Sequence, residues 1–187
     1  MQLAALAEQM RPLRRREYDR LVELGLFEGE KVELLRGVLV RMSPQGVAHA
    51  STIQSLTELL VLSLAMTKRA AVRVQLPLAL ADDSEPEPDI AVVEPGDYRE
   101  QHPSRALIVI EVADSSRSLD RGEKAELYAR AGIPEYWIVD VGRRLLEVHT
   151  DAVAGVYTRV VPYSRKDAVS PRAFPEVSIR VDAILGE

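Results

Sequence analysis

The sequence predicts a mixed α/β protein, with one mixed central sheet flanked by helices and extra strands toward the C-terminus. Three observations carry that expectation. Apolar residues recur at helical spacing over residues 48–67, short β-branched runs follow it, and a second helical stretch separates the last two of those runs. Helices interleaved with strands read as layers around one sheet.

In chain order, residues 1–11 are expected to form an N-terminal arm, followed by a helix over 13–24 that Gly25 closes. Two short apolar runs within 32–42 flank Arg36-Gly37 and read as a hairpin. In 48–67, Ile53, Leu56, Leu59, Leu60, Leu62, Leu64 and Met66 predict a long, well-buried helix. Strands are expected over 71–80, 89–93, 107–112 and 136–139, separated by turns rich in proline, glycine and acid. Between the last two, Asp120 followed by Glu123 resembles a capping box opening a helix, which Gly132 and Pro134 end. Residues 145–187 read as a β-rich extension, with clear alternation over 156–161.

Composition bounds the function. Hydrophobic residues make up 47% and charged residues 28% of 187, which suits one soluble domain spanning 1–187. Cysteine is absent, which removes disulfides, zinc–thiolate sites and cysteine nucleophiles together. The longest apolar stretch, 59–66, is broken by Ser63 and too short to cross a bilayer, and no signal peptide is evident. A cytoplasmic protein without a membrane partner is expected. The net charge of −5 weighs against a general polyanion binder. Arginines cluster locally at Arg11, Arg14, Arg15 and Arg16, and again at Arg117, Arg121, Arg143 and Arg144. These clusters could face phosphates or form an ordinary solvated surface.

The chemistry lies in two acids embedded in apolar strands. Asp89 opens the run Ile90-Ala91-Val92-Val93, and Glu111 sits inside Leu107-Ile108-Val109-Ile110-Glu111-Val112. A carboxylate in such surroundings is costly unless neutralised, and two close together also repel. A bound cation removes both problems, and two carboxylates with the Val112 carbonyl and waters make the hard oxygen site that Mg²⁺ or Mn²⁺ takes. Asp140 reads instead as an acid that ends its strand. Lys124 is one of only four lysines and is expected in the first turn of its helix, where the helix dipole disfavours a cation. Spacing places Asp120, Lys124 and Tyr128 on one helical face. That set reads either as a surface ion pair with a core tyrosine or, for Lys124, as a charge aimed at a phosphate. His49 opens the long helix and could contact a phosphate or an acid, or simply satisfy the helix start.

Taken as a set, several segments resemble the Uma-type family of the PD-(D/E)XK, or restriction-endonuclease-like, superfamily. They are Pro88-Asp89, Glu111-Val112-Ala113, Asp120-Arg121-Gly122-Glu123-Lys124, and the run from Tyr128 through Ala131-Gly132-Ile133-Pro134-Glu135-Tyr136-Trp137 to Asp140. Val32-Glu33-Leu34-Leu35-Arg36-Gly37, Ser43-Pro44 and His49 add to it, so the resemblance spans residues 18–150. It implies a restriction-endonuclease-like core and a metal-dependent phosphodiesterase. Asp89 and Glu111 would hold the metal, and Glu33 would be an accessory acid. The superfamily's usual lysine, two residues after the second acid, is Ala113 here, and Lys124 is the natural substitute.

The expected function is therefore an endonuclease that hydrolyses nucleic-acid phosphodiester bonds, with double-stranded DNA as partner and a homodimeric or higher assembly. His49, Arg117 and Arg121 are the candidate substrate-binding residues. The alternatives are a catalytically degenerate nuclease-fold module for nucleic-acid binding or assembly, and an enzyme acting on a small phosphoester.

Overall fold

A computed structural model describes residues 10–65, 67–113 and 117–186, and of Arg117 only the backbone. Residues 1–9 of the expected arm lie outside the described residues, as does Met66.

Helix α1 (Arg15–Glu23) is closed by Gly25 at φ +73, a left-handed position that glycine adopts without steric cost. Strands β1 (Val32–Leu35) and β2 (Val38–Arg41) form the expected antiparallel hairpin. Arg36 (φ 49) and Gly37 (φ 77) both have positive φ, as the tight two-residue turn matching strand twist requires. Helix α2 (Val47–Leu64) buries Ile53, Leu56, Leu60 and Leu64, a stripe at three- and four-residue spacing. Leu62, expected inside, is exposed, so α2 is covered along one face only.

The sheet has six strands in the order β3-β4-β5-β6-β7-β8, and the expectation of a mixed central sheet holds. They are β3 (Ala71–Val74), β4 (Ile90–Val93), β5 (Ile108–Ala113), β6 (Glu135–Asp140), β7 (Leu145–Val153) and β8 (Val156–Tyr163). Only the β5–β6 pair is parallel; the other neighbours are antiparallel. Parallel neighbours need a crossover, and the helical segment after β5 supplies it. The first two strands of the predicted extension thus complete the central sheet. A short pair, β9 (Ala168–Val169) with β10 (Ile179–Arg180), and helix α5 (Val181–Leu185) end the chain.

Side-chain alternation divides the core in two. Ile90, Val92, Ile108, Ile110, Val112 and Trp137 pack with α2 and with Phe174, Val177 and Ile184 of the C-terminal segment. Ala91, Val93, Val109, Ala113, Tyr136 and Ile138 pack on the other face with Ala125, Tyr128 and Ala129. With a period of two, Asp89 shares the parity of Ala91, and Glu111 that of Val109 and Ala113. Both acids therefore belong to the second face.

Two elements differ from expectation. The strand predicted over 71–80 stops at Val74, because Gln75 takes φ +51 and Pro77 has no N–H to give a ladder. The helix predicted to open at Asp120 is already helical at Arg117: α3 (Arg117–Leu119) runs into a π-helical turn, Asp120–Lys124, and then into α4 (Ala125–Arg130). Asp120 is consequently no cap. It is buried at 1% exposure, and Lys124 lies beyond the first turn at 5%. Single π-turns inside helices recur at functional sites. No helix of the described residues is long and apolar enough to cross a membrane.

Candidate functional site

Asp89 stands just ahead of β4, beside the end of β5. The Val112 amide donates to its Oδ2 across 2.8 Å, tying it to the strand that carries Glu111. Its other oxygen, Oδ1, lies 3.1 Å from His49 Nε2 and 3.4 Å from Gln75 Nε2. His49, in the first turn of α2, thus meets an acid, one of the contacts the sequence left open. Because N–H and C=O of one strand residue point toward the same neighbour, the Val112 carbonyl faces the Asp89 side as well.

Glu111 is held from the helix. Lys124 Nζ lies 3.0 Å from its Oε1, and the Tyr128 hydroxyl donates to the same oxygen across 2.7 Å. The ammonium also reaches Glu33 Oε1 at 3.1 Å, and Glu33 Oε2 accepts the Glu87 amide at 3.1 Å. Glu33, Asp89, Glu111, Asp120 and Lys124 are all buried. Burial pushes the Glu111 carboxyl up from its ordinary range; Lys124 pulls it back, while Asp89, Asp120 and Glu33 push further. Burial works against the Lys124 ammonium too, but the Glu111, Glu33 and Asp120 carboxylates outweigh it and raise its pKa. Lys124 therefore stays charged. Burial and then Glu111 hold the Tyr128 hydroxyl well above its usual range, so it remains a donor. Burial likewise raises Glu87.

The acids and Lys124 line one cavity of about 300 Å³ with Arg41, Ser43, Gln45, Gly46 and His49. Among the described residues five carboxylates face it: Glu33, Glu87, Asp89, Glu111 and Asp120. Helix α2 starts there at Gly46 with no side-chain cap and no acid in its first turn. A larger cavity of about 680 Å³ opens beyond the other ends of β4 and β5, among Glu94, Tyr98, His102 and Arg105. Size does not decide between them, because the paired acids and the buried lysine belong to the smaller one.

The structure thus brings together Asp89, Glu111, Lys124, Glu33 and His49. It does not bring Arg121 to the cavity, contrary to the expected substrate contact. The Arg121 guanidinium is committed to Asp140 Oδ2 at 3.0 Å and Glu147 Oε2 at 2.8 Å, because Asp140 is fully buried at the end of β6 and needs a cation. The Arg117 side chain lies outside the described residues. Sequence reasoning missed the roles of Tyr128, Asp120, Glu87 and Gln75. A buried tyrosine four residues past the lysine was visible, but only the partner's position shows that its hydroxyl reaches Glu111. Ala113 packs under the helix with Ala125 and Tyr128, so the ammonium reaches the acids from the helix and not from the strand.

Among the described residues no group of three or more His, Asp or Glu side chains is arranged to hold a metal ion. The donor set still fits one. Among the described residues five acids against a single buried ammonium leave an excess of negative charge, and Asp89 and Glu111, with the Val112 carbonyl beside Asp89, are hard oxygen donors next to a space large enough for waters.

Comparisons with known proteins bear on the fold and the family. A crystal structure at 1.96 Å resolution from Anabaena variabilis ATCC 29413, described as "a putative nuclease belonging to DUF820", superposes with a TM-score of 0.72. The two chains are 16% identical over 93% of this chain and 98% of that one, which establishes a common fold. No curated protein matches the chain. The family profile Uma2, described as "Putative restriction endonuclease", matches residues 15–182. That span includes every acid of the cavity and Lys124, and on this match the chain belongs to the Uma2 family.

Proposed function

We propose that the chain is a divalent-metal-dependent endonuclease that hydrolyses phosphodiester bonds of double-stranded DNA. The observation that carries the reading is the convergence of Asp89, Glu111, Glu33 and Lys124 on one cavity. Membership of a family described as "Putative restriction endonuclease" supports it.

Asp89, Glu111 and the Val112 carbonyl would hold Mg²⁺ or Mn²⁺. When bound, such an ion polarises the phosphate and makes water a nucleophile near neutral pH. The protein's own groups set the geometry. The Val112 amide and His49 fix Asp89, and Lys124 with Tyr128 fixes one oxygen of Glu111. Glu33 holds the Lys124 ammonium at the cavity, where it can orient the attacking water and stabilise charge gathering on the phosphoryl oxygens. We also propose a homodimer, since a twofold assembly presents two sites to two strands. Light scattering at micromolar concentration tests this, and a clean monomer refutes it.

A second reading rests on the ammonium itself. Lys124 already pairs with both Glu33 and Glu111, as it would in a degenerate module that binds nucleic acid without a cation. Cleavage of supercoiled plasmid and labelled duplex oligonucleotides separates the two. A nuclease cleaves in Mg²⁺ or Mn²⁺, stops on chelation, and slows by about 100-fold or more in Lys124→Ala. No cleavage in either metal, or an unimpaired Lys124→Ala, contradicts the nuclease reading.

A further inference from the structure

Among the described residues the cavity is poor in cations for a site that admits a polyanion. Five carboxylates among the described residues line it, and the buried ammonium of Lys124 is shared between Glu33 and Glu111. His49 is turned to Asp89. Nearby arginines are committed elsewhere: Arg121 to Asp140 and Glu147, and Arg36 to Glu123 and Glu126. Arg41 differs. It lines the cavity, is exposed, and makes no hydrogen bond or ion pair among the described residues. Its place is fixed by the hairpin, because the register pairs Glu33 with Val40, its chain neighbour.

We propose that Arg41 holds a backbone phosphate of the DNA strand entering the cavity and so seats the scissile bond among the acids. The proposal rests on the nuclease reading above and narrows it to a polymeric substrate. A guanidinium offers paired donors that match two phosphate oxygens, and it keeps its charge at every working pH. Without such a contact a strand would approach the carboxylates with Lys124 as the protein's only buried counter-charge among the described residues. The neighbouring phosphate, not the reacting one, is the expected partner, so Arg41 governs binding more than the chemical step.

The test compares wild-type protein with Arg41→Ala and Arg41→Lys, using anisotropy of a labelled duplex oligonucleotide at rising salt and steady-state cleavage of the same duplex. Arg41 is exposed, so either replacement leaves the core intact, and matching thermal melts verify this. Arg41→Ala should weaken binding by about tenfold and lower the slope of log K against log salt by about one, as loss of one phosphate contact requires. Arg41→Lys should keep the slope. KM should rise in Arg41→Ala with kcat little changed. If Arg41→Ala matches the wild type in affinity and slope while both cleave, the proposal falls and the nuclease reading stands. Wild-type hydrolysis of a small phosphodiester without salt-dependent duplex binding overturns the proposal as well. A wild type that neither binds nor cleaves overturns the nuclease reading itself.

Discussion

The Val112 amide donates to Asp89 Oδ2 across 2.8 Å, so the acid ahead of β4 is fastened to the strand that carries Glu111. One hydrogen bond thereby couples the two acids through backbone, which is stiffer than any side-chain link. The consequence is a pre-set separation between the carboxylates before any ligand arrives.

Removing the ammonium should cost stability as well as activity. Lys124→Met keeps the stem but leaves Glu111 and Glu33 buried without their cation. Loss of one partner of a buried pair costs about 3–5 kcal/mol. Urea unfolding at pH 8 should show a deficit of that size, shrinking when Mn²⁺ is added. A variant as stable as the wild type would mean that solvent already screens the pair.

Much of this was legible in the sequence, for identifiable reasons. Asp89 and Glu111 stood out because carboxylates are costly inside apolar strands, and strand parity places them on one face. Lys124 was legible from lysine scarcity and family resemblance, although the helix-start argument for it failed. The failure has a physical cause. The chain is already helical at Arg117, so Asp120–Lys124 is an internal π-turn, for which residue spacing carries no signal. The same gap made Asp120 look like a cap. Arg121 looked like a phosphate contact because its partners, Asp140 and Glu147, lie on strands 19 and 26 residues away. Tyr128, Glu87 and Gln75 escaped notice because their roles depend on which atom they meet.

Tyr128→Phe tests the clamp on Glu111. The ring stays in the core while the bond to Glu111 Oε1 disappears. A hydrogen bond to a charged group contributes about 1.5–3 kcal/mol, so a loss of that order is expected in chemical unfolding. Manganese affinity should fall too, since one oxygen of Glu111 loses its orienting donor. Unchanged stability and affinity would show the hydroxyl to be incidental.

Glu85 gives the pH dependence of stability. It is buried, its Oε2 has no hydrogen-bond partner among the described residues, and Arg15 and His102 stand 3.9 and 4.0 Å from the carboxyl. Burial, then Asp19, pushes it from 4.5 up to about 7. Between those values the folded protein holds a proton that the unfolded chain has lost. Stability from this group is therefore full below pH 4.5 and is lost as pH rises through 7. The loss amounts to at most about 3 kcal/mol. Glu85→Gln should remove this component, and parallel pH curves for variant and wild type would refute it.

Gly37→Ala probes the hairpin that carries Glu33. Gly37 has φ +77, and a Cβ there would lie 2.3 Å from Pro12 Cβ. Positive φ alone costs a non-glycine residue about 1–3 kcal/mol, and the overlap adds to it. A drop in thermal midpoint of several degrees is expected, against no change if the turn can reshape.

The central claim is that one cavity seats a divalent cation on Asp89 and Glu111. Calorimetric titration of Mn²⁺ into wild-type protein, Asp89→Asn and Glu111→Gln tests it most directly. Binding by the wild type, with heat lost in both variants while their folds persist, is the predicted result. Equal binding by all three proteins, or none by the wild type, would contradict it.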